Sequence, residues 1–325
     1  MTDSLRGRCE LLVENQKIMR KRFKLENSAI HTICASIYAS ERAILNPDKI
    51  LYCIKLIKKK TSVLSQFRSV SITPIATMLS LDKDIAEQLT NTLKVYSALR
   101  LEFAASAYLP AVAYTMAKYS YSAAVRVRRS KQIYKSMKAH HPFIVSSDDT
   151  LYAALLAARG YSEDRIEKAY NECLDFLKGL FSRNSIQTIS NILLLGEGDT
   201  KCNCTRVKGI YEELRKKGFK YGKSHEMAIL AALAFTEKTE EELADMIIEI
   251  NNYLKQHSGF GWTMGRRLRL MYAAFILCSE YSSTEKAVTY GSAVTQVTSI
   301  VLAEQAALAS SISASTFSIC NSTST

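Results

Sequence analysis

Glycine and proline are scarce in this sequence. It holds 12 Gly and 4 Pro, together 16 of 325 residues or about 5%, where ordinary usage is about 12%. Sheet-rich folds need many turn residues, and strict alternation of apolar and polar residues is also nearly absent. Both shortages argue against a β-rich fold and predict long helices.

The sequence also lacks the motifs that mark common enzyme chemistries. None of its five histidines stands in an H-E-x-x-H pattern or beside a nucleophile signature, and no Gly-rich phosphate loop occurs. The eight cysteines are scattered, and the one close pair, Cys202-Asn-Cys204, has no second pair or nearby His. We therefore expect no metal site, no disulfide framework and no cofactor.

No long apolar run marks a targeting or membrane segment. The N-terminus carries Asp3 and no apolar stretch follows it, so we expect no signal peptide and a cytoplasmic location. Residues 283–325 are rich in Ala, Ser and Thr and are predicted to form a C-terminal helix with a disordered tail. Gln296, Glu304 and Gln305 make this segment too polar to span a membrane. Its apolar stripe suits packing on the last hairpin or oligomerisation with a second subunit.

A helical period is the strongest pattern that is present. Seven apolar stretches recur at spacings of 37 to 44 residues: TICASIYA from Thr32, PIATMLSL from Pro74, AVAYTMAK from Ala111, YAALLAAR from Tyr152, ISNILLLG from Ile189, AILAALAF from Ala228 and YAAFILCS from Tyr272. A second, amphipathic helix is predicted between successive stretches. The period predicts an all-α, α-solenoid-like array of about seven helical hairpins over residues 1–282, each about 40 residues long.

Smaller signals support this division. Asn46-Pro47-Asp48 and Thr239 with Glu242 are typical of helix N-termini. Four glycines that follow apolar helices suit left-handed C-terminal caps: Gly160, Gly196, Gly218 and Gly259. One aromatic residue at a comparable place in successive amphipathic helices is expected to wedge neighbouring hairpins together: Tyr96, Tyr134, Phe176, Tyr211 and Tyr253.

Several strings resemble a bacterial family of uncharacterised proteins, catalogued as domain of unknown function 4003. The strings are LLVENQKIMRKRFK near the start, SSDDTLYAALLA from Ser146, GFGWTMGRRLRLMYAAF from Gly259, and the Ala/Ser-rich end. The resemblance covers essentially the whole chain and implies a cytoplasmic helical protein. It implies no catalytic residues.

Two clusters are candidate ligand sites. Asp148 and Asp149 begin an apolar helix, where paired carboxylates could share a proton or hold a metal; alternatively, Ser146 and Asp149 form a capping box. Trp262 precedes Arg266 and Arg267 in a Gly-rich loop, as an anionic or aromatic ligand would need. The alternative interpretation of that loop is a structural staple with a buried Trp262.

The charge of the chain is concentrated in its N-terminal half. Residues 1–145 carry 24 Lys+Arg against 10 Asp+Glu, a surplus that would attract an anionic partner. Helical spacing puts four cations on one face, and they are the candidate anion-binding residues: Arg128, Lys131, Lys135 and Lys138. A plain solvated face is the alternative.

The sequence leaves the function open between classes. The period favours a non-catalytic scaffold that binds a protein or peptide along an extended concave surface. A second hypothesis is an enzyme of unknown reaction, in which the hairpins close into an α/α toroid with Asp148 and Asp149 at its mouth. A third is nucleic-acid binding through the basic half. Contact between the first and last hairpins would separate an open array from a toroid.

Overall fold

The structure is a computed structural model that describes residues 1–69, 72–118, 122–196, 198–224, 226–262 and 264–282. These ranges contain fourteen α-helices, one short 3-10 helix at Gln66–Arg68 and no sheet. In chain order the α-helices are α1 (Asp3–Arg22), α2 (Ser28–Ser40), α3 (Pro47–Lys60), α4 (Ile72–Ser80), α5 (Ile85–Glu102), α6 (Leu109–Ala117), α7 (Ala123–His140), α8 (Asp149–Ala158), α9 (Glu163–Leu177), α10 (Arg183–Leu195), α11 (Thr200–Lys216), α12 (Met227–Leu233), α13 (Glu240–Lys255) and α14 (Arg266–Ser282). The prediction of an all-α array of seven hairpins is confirmed. The predicted segment 283–325 lies outside the described residues.

The hairpins are arranged as two concentric rings. Each even-numbered helix contacts the even-numbered helices before and after it, and each odd-numbered helix contacts its odd-numbered neighbours. The even-numbered helices form the inner ring and contain the seven apolar stretches; all seven residues of α12, for example, are buried. The odd-numbered helices form the outer ring and bury one stripe, such as Ile166, Ala169, Tyr170, Cys173 and Leu177 of α9.

The double ring is closed. α14 contacts α1 and α2, and α13 contacts α1, so the last hairpin packs against the first. Polar side chains join them: Arg8 pairs with Glu280, and the Gln16 amide donates to the Gly259 carbonyl at 3.3 Å. The sequence left open array and closed toroid undecided, and the structure is a closed toroid of seven hairpins.

All inner helices run in the same direction. Their C-terminal ends contact one another: the Tyr38 and Ser80 hydroxyls of α2 and α4 lie 2.7 Å apart, and the Tyr114 hydroxyl of α6 donates to the Met78 carbonyl of α4. The inner helices therefore begin at one end of the ring, here called the mouth face, where each outer helix passes into the next inner helix. They end at the other, the rear face.

Local capping agrees with most of the sequence signals. The Asn46 side chain accepts the Lys49 N–H with Pro47 in the first turn, and Thr239 and Glu242 form a reciprocal capping box. Gly160, Gly218 and Gly259 have positive φ, as predicted. Gly196 does not, so that prediction is wrong. A β-carbon there would lie 1.9 Å from the Phe235 ring, and close approach is what requires glycine.

An aromatic joint recurs between successive hairpins. A ring in the connection after one outer helix packs against a tyrosine of the next outer helix. The pairs and their centroid distances are Phe67 and Tyr96 (4.9 Å), Phe103 and Tyr134 (5.5 Å), His141 and Tyr170 (4.1 Å), and Phe181 and Tyr211 (4.9 Å). The predicted wedge at Phe176 is wrong, because its side chain is 44% exposed and Tyr170 takes that place.

Candidate functional site

A pocket opens on the mouth face where α8, α10 and α12 begin. It has a volume of about 350 Å³ and is lined by Ile144, Asp148, Asp149, Ser182, Asn184, Ser185, Gln187, Thr188 and Ser224. We call it the carboxyl pocket. Two carboxyl groups are its only ionisable lining groups; hydroxyls, amides and the apolar side chain of Ile144 supply the rest. The structure thus brings Asp148 and Asp149 together with residues from two later hairpins.

Asp149 is the buried member of the carboxyl pair. It begins α8, is 7% exposed, and accepts a hydrogen bond at Oδ2 from the Ser146 N–H at 2.9 Å. Burial, reinforced by the negative charge of Asp148 and opposed by the Ser146 bond, raises the pKa of Asp149 to about 7. Asp149 therefore populates both protonation states near neutral pH, as a proton donor or acceptor needs.

The capping interpretation of this segment holds in part. Asp149 satisfies the Ser146 N–H, as a capping box requires. The reciprocal bond is not made, because the Ser146 hydroxyl donates to the Asp148 carboxylate instead. Capping accounts for one oxygen of Asp149 and does not account for the pocket that this side chain lines.

Gln187 supplies a buried acceptor beside the carboxyls. Its side chain is 3% exposed, and among the described residues Oε1 has no hydrogen-bond partner. Asn191 lies one turn further along α10, and its Nδ2 has no partner within the same part of the chain. An unsatisfied buried polar atom costs about 1 to 3 kcal/mol, so a donor that enters from a ligand or a water would be stabilised at Gln187.

Serine hydroxyls fix the wall between α10 and α12. The Ser182 hydroxyl caps α10 by accepting the Ser185 N–H at 3.2 Å, and the two hydroxyls lie 2.8 Å apart. Ser185 in turn donates to the Lys223 carbonyl, and the Lys223 ammonium donates to the Leu180 carbonyl at 2.6 Å. These bonds hold Ser224 at the rim of the carboxyl pocket.

A second pocket adjoins the first at Ser224. It has a volume of about 560 Å³ and is lined by Tyr211, Arg215, Lys220, Tyr221, Gly222, Lys223, Ser224, Arg266 and Arg267. We call it the cationic pocket, because five of these nine residues are cations and none is acidic. Arg266 begins α14, so a helix N-terminus adds positive potential here.

One carboxylate orients part of the cationic pocket. Glu226 is 5% exposed and accepts two bonds from Arg267, at 2.6 and 3.1 Å. Burial alone would raise the pKa of Glu226, but the bonds from Arg267 and from backbone N–H groups outweigh burial and lower it. Arg215, Lys220 and Arg266 form no ion pair with any acid in the described ranges, so their charges are available to a ligand.

Trp262 lies on the mouth face outside both pockets. Its side chain is 98% exposed, so the interpretation of Trp262 as a buried staple is wrong. Phe260 is the buried residue of this loop, and Arg269 fixes the loop by donating to the Phe260 and Gly261 carbonyls.

The predicted basic stripe on α7 is partly engaged within the protein. The Lys131 ammonium donates to the Glu102 carbonyl and lies 4.5 Å from the Phe103 centroid. Lys138 donates to the Val145 carbonyl at 3.5 Å. Arg128 and Lys135 are exposed. Two of the four cations thus support connections at the mouth face, and anion binding by the stripe stays a prediction.

The close cysteine pair divides between surface and core. Cys202 is exposed, whereas Cys204 is buried with its Sγ 2.9 Å from Sγ of Cys173 on α9. No group of three His, Cys, Asp or Glu side chains that could hold a metal ion occurs within the described ranges. Asp148 and Asp149 would need additional ligands to bind one.

The fold and pockets define a closed helical toroid with polar cavities at its mouth. The chain belongs to the family described as "Protein of unknown function (DUF4003)", whose model matches residues 15–307. It is similar to "Uncharacterized protein YeaA" of Bacillus subtilis (strain 168), with 25% identity over 187 residues, which is 57% of this chain and 54% of that protein. The match thus spans about half the length of this curated relative.

One further comparison and one property of the helices complete this description. No solved structure matches the chain. Within the residues that the structure describes, no helix is both long enough and apolar enough to cross a membrane.

Proposed function

We propose that this protein binds a small phosphate-bearing, hydroxylated metabolite at the mouth of its helical ring. One observation carries the proposal: a carboxyl and hydroxyl cavity and a cavity of five cations meet at Ser224. A ligand that spans both would put its phosphate among Arg215, Lys220 and Arg266, and its hydroxyl groups beside Asp149 and Gln187. Guanidinium groups match phosphate oxygens in geometry as well as in charge.

The protonation of Asp149 supports ligand contact over a purely structural role. A carboxyl whose pKa is raised to about 7 can donate to a ligand oxygen when protonated and accept from a ligand hydroxyl when ionised. The adjoining Gln187 Oε1 accepts from a second ligand donor. This site corresponds to the second hypothesis from the sequence, a closed toroid with Asp148 and Asp149 at its mouth. The proposed ligand binding does not require that a reaction follows.

The peptide-binding scaffold is less well supported by these features. The scaffold hypothesis depends on the extended concave surface of an open array. In this closed ring the inner helices bury nearly all their residues. A peptide would have to bind on the outer helices or on one end of the ring. Nucleic-acid binding along α7 is weakened by the engagement of Lys131 and Lys138 with backbone carbonyls.

Calorimetric titration tests the proposed ligand class. Inorganic phosphate, glucose and glucose 6-phosphate are the probes, and we expect glucose 6-phosphate to bind more tightly than either part alone. Arg266→Gln should weaken both phosphate-bearing probes by roughly 10-fold, because it removes a charge-assisted contact. Asp149→Asn should weaken glucose 6-phosphate but leave inorganic phosphate unchanged.

The matched control is Lys59→Gln, which removes an exposed cation from the last turn of another outer helix. It should bind every probe as the wild type does. Absence of binding by both phosphate-bearing probes, or equal loss in the Lys59 and Arg266 variants, would contradict the proposal.

A further inference from the structure

The most exposed apolar side chains of the described residues lie at one end of the ring. Leu25, Leu64, Phe143 and Trp262 are 104, 93, 98 and 98% exposed. They lie in four different connections from an outer to an inner helix, all on the mouth face. Toward the rear face, the exposed large apolar residues within the described ranges are Ile44 and Val125, each 66% exposed. We call the four mouth residues the apolar tips.

Helix capping does not account for these side chains. Single apolar residues are common on protein surfaces, and one exposed leucine would need no explanation. Here four large apolar side chains project from separate connections at the same end of the molecule. Small polar residues would form the turns of these connections equally well. Their common placement points to something outside the chain that this end contacts.

The charges of the ring are separated along its axis. The last turns of six of the seven outer helices are basic, including Lys58, Lys59 and Lys60 of α3, Arg215 and Lys216 of α11, and Arg20, Lys21 and Arg22 of α1. Their first turns are mostly acidic, including Asp3 of α1, Glu163 and Asp164 of α9, and Glu240, Glu241 and Glu242 of α13. Acidic residues in a first turn and basic residues in a last turn both interact favourably with the helix dipole. Because all outer helices run in the same direction, these choices together make the mouth face more basic than the rear face.

We infer that the mouth face docks on an anionic phospholipid bilayer. Leu25, Leu64, Phe143 and Trp262 would enter the interfacial region of the lipid, and the basic last turns of the outer helices would lie among the headgroups. Tryptophan and phenylalanine flanked by Lys and Arg are the side chains that favour this region. Anionic headgroups attract such basic segments through a potential that salt screens.

The distribution of the apolar tips favours a bilayer over a protein partner. A protein interface concentrates its apolar residues in a contiguous core with charged residues at the rim. The tips instead lie on separate loops, with cations such as Lys24 and Arg266 next to or near them in the sequence. A planar fluid surface can receive all of them without side-chain complementarity. Docking is peripheral, since no described helix can span a membrane.

The membrane inference stands on the tips and the charge separation and does not depend on the ligand in the two pockets.

Vesicle sedimentation of the full chain tests the inference. The probes are vesicles of phosphatidylcholine alone and of phosphatidylcholine mixed with phosphatidylglycerol. We expect the wild type to bind the anionic vesicles and to release as salt is raised. A quadruple variant with Leu25→Gln, Leu64→Gln, Phe143→Gln and Trp262→Gln should lose at least about 10-fold in partition. The matched control, Ile44→Gln with Val125→Gln on the rear side, should bind as the wild type does.

Trp262 gives a second, independent measurement. It is the one tryptophan of the chain, so intrinsic fluorescence reports on this tip alone. Emission of the wild type should shift to the blue on anionic vesicles and be quenched by lipids with brominated acyl chains. The thermal unfolding of the quadruple variant should match that of the wild type, because all four side chains are exposed.

Three results would overturn the inference. The first is equal binding to neutral and anionic vesicles, or no binding at low salt. The second is retention of vesicle binding by the quadruple variant. The third is a concentration-dependent association in sedimentation velocity that the quadruple variant loses while vesicles have no effect, which would assign the tips to a protein contact.

Discussion

The guanidinium of Arg8 and the carboxylate of Glu280 form an ion pair, with Nε 2.6 Å from Oε2, across 272 residues of sequence. Arg8 also donates to the Ala39 and Ser40 carbonyls at the end of α2, and its side chain is 1% exposed. Glu280 accepts from Ser4 and Arg42 as well. One carboxylate of the last hairpin thus binds three side chains of the first and second hairpins, and it closes the ring at the rear face.

Glu280→Gln should destabilise the protein by about 3 kcal/mol, because it removes the carboxylate that pairs with the buried Arg8 guanidinium. Burial alone would raise the pKa of Glu280, but the bonds from Ser4 and Arg8 more than offset burial and lower it. The contribution of ionised Glu280 to the free energy of unfolding is therefore complete at neutral pH. It is lost as pH falls through the folded-state pKa of Glu280. Urea unfolding at neutral and acid pH measures it.

The control for the ring closure is Asp48→Asn. Asp48 pairs with Arg22 at 2.9 Å, but the two side chains are 80 and 53% exposed. An exposed pair of this kind contributes at most about 1 kcal/mol. If the Glu280 and Asp48 variants unfold at the same urea concentration, Glu280 does not hold the ring closed.

The aromatic joints should carry a large share of the packing between hairpins. Tyr211 is 7% exposed and packs edge to face on Phe181 at 4.9 Å. Tyr211→Ala should cost about 3 to 5 kcal/mol through lost burial and the cavity left behind. Phe176→Ala, at the exposed position that the spacing of aromatic residues in the sequence favours, should cost less than about 1 kcal/mol. Similar losses from the two variants in chemical denaturation would contradict the observed joint.

The inner helices were predictable because burial leaves a local signature. A helix packed on all sides must be apolar around its circumference, so seven such stretches at near-constant spacing reveal seven hairpins. Closure leaves no such signature. Closure depends on the rotation between successive hairpins, which accumulates around the ring through contacts such as that of Phe67 with Tyr96. Arg8 and Glu280, which join the last hairpin to the first, are ordinary charged residues in their own segments.

The site was predictable only at its starting point. Asp148 and Asp149 stood out as adjacent acids at a helix start, whereas Ser182, Gln187 and Ser224 join them through the tertiary arrangement of α10 and α12. Trp262 shows the limit of local composition. Phe260 and Trp262 are equally able to staple a loop, and the sequence does not indicate which of the two is buried.

Asp149→Asn should stabilise the folded protein above neutral pH. The pKa of Asp149 rises from 3.8 to about 7 on folding, so between these values the folded state holds a proton that the unfolded state releases. The free energy of unfolding therefore falls as pH rises through this window. Asparagine has no charge to desolvate and can still accept the Ser146 N–H. We expect a gain on the order of 2 to 4 kcal/mol at about pH 8, declining to near zero at about pH 4.

The measurement for Asp149 is the difference in melting temperature between wild type and variant across that pH range. Asp164→Asn is a control, because Asp164 is an exposed acid in the first turn of α9. Its difference should stay small throughout. A destabilised Asp149 variant at high pH would mean that the ionised carboxylate forms stabilising bonds in the folded state.

Two glycine substitutions should act in opposite directions. Gly7 lies inside α1, and a β-carbon there meets no atom within 4 Å. Gly7→Ala should stabilise the protein by about 0.5 to 1 kcal/mol, because alanine restricts the unfolded chain and favours helix.

At Gly196 a β-carbon would lie 1.9 to 2.5 Å from three carbons of the Phe235 ring. Gly196→Ala must displace that ring from the joint between α10 and α12, and overpacking of this kind costs about 1 to 3 kcal/mol. Denaturant unfolding of the two variants checks the signs, and a Gly196→Ala protein as stable as Gly7→Ala would mean that Phe235 can move without loss of packing.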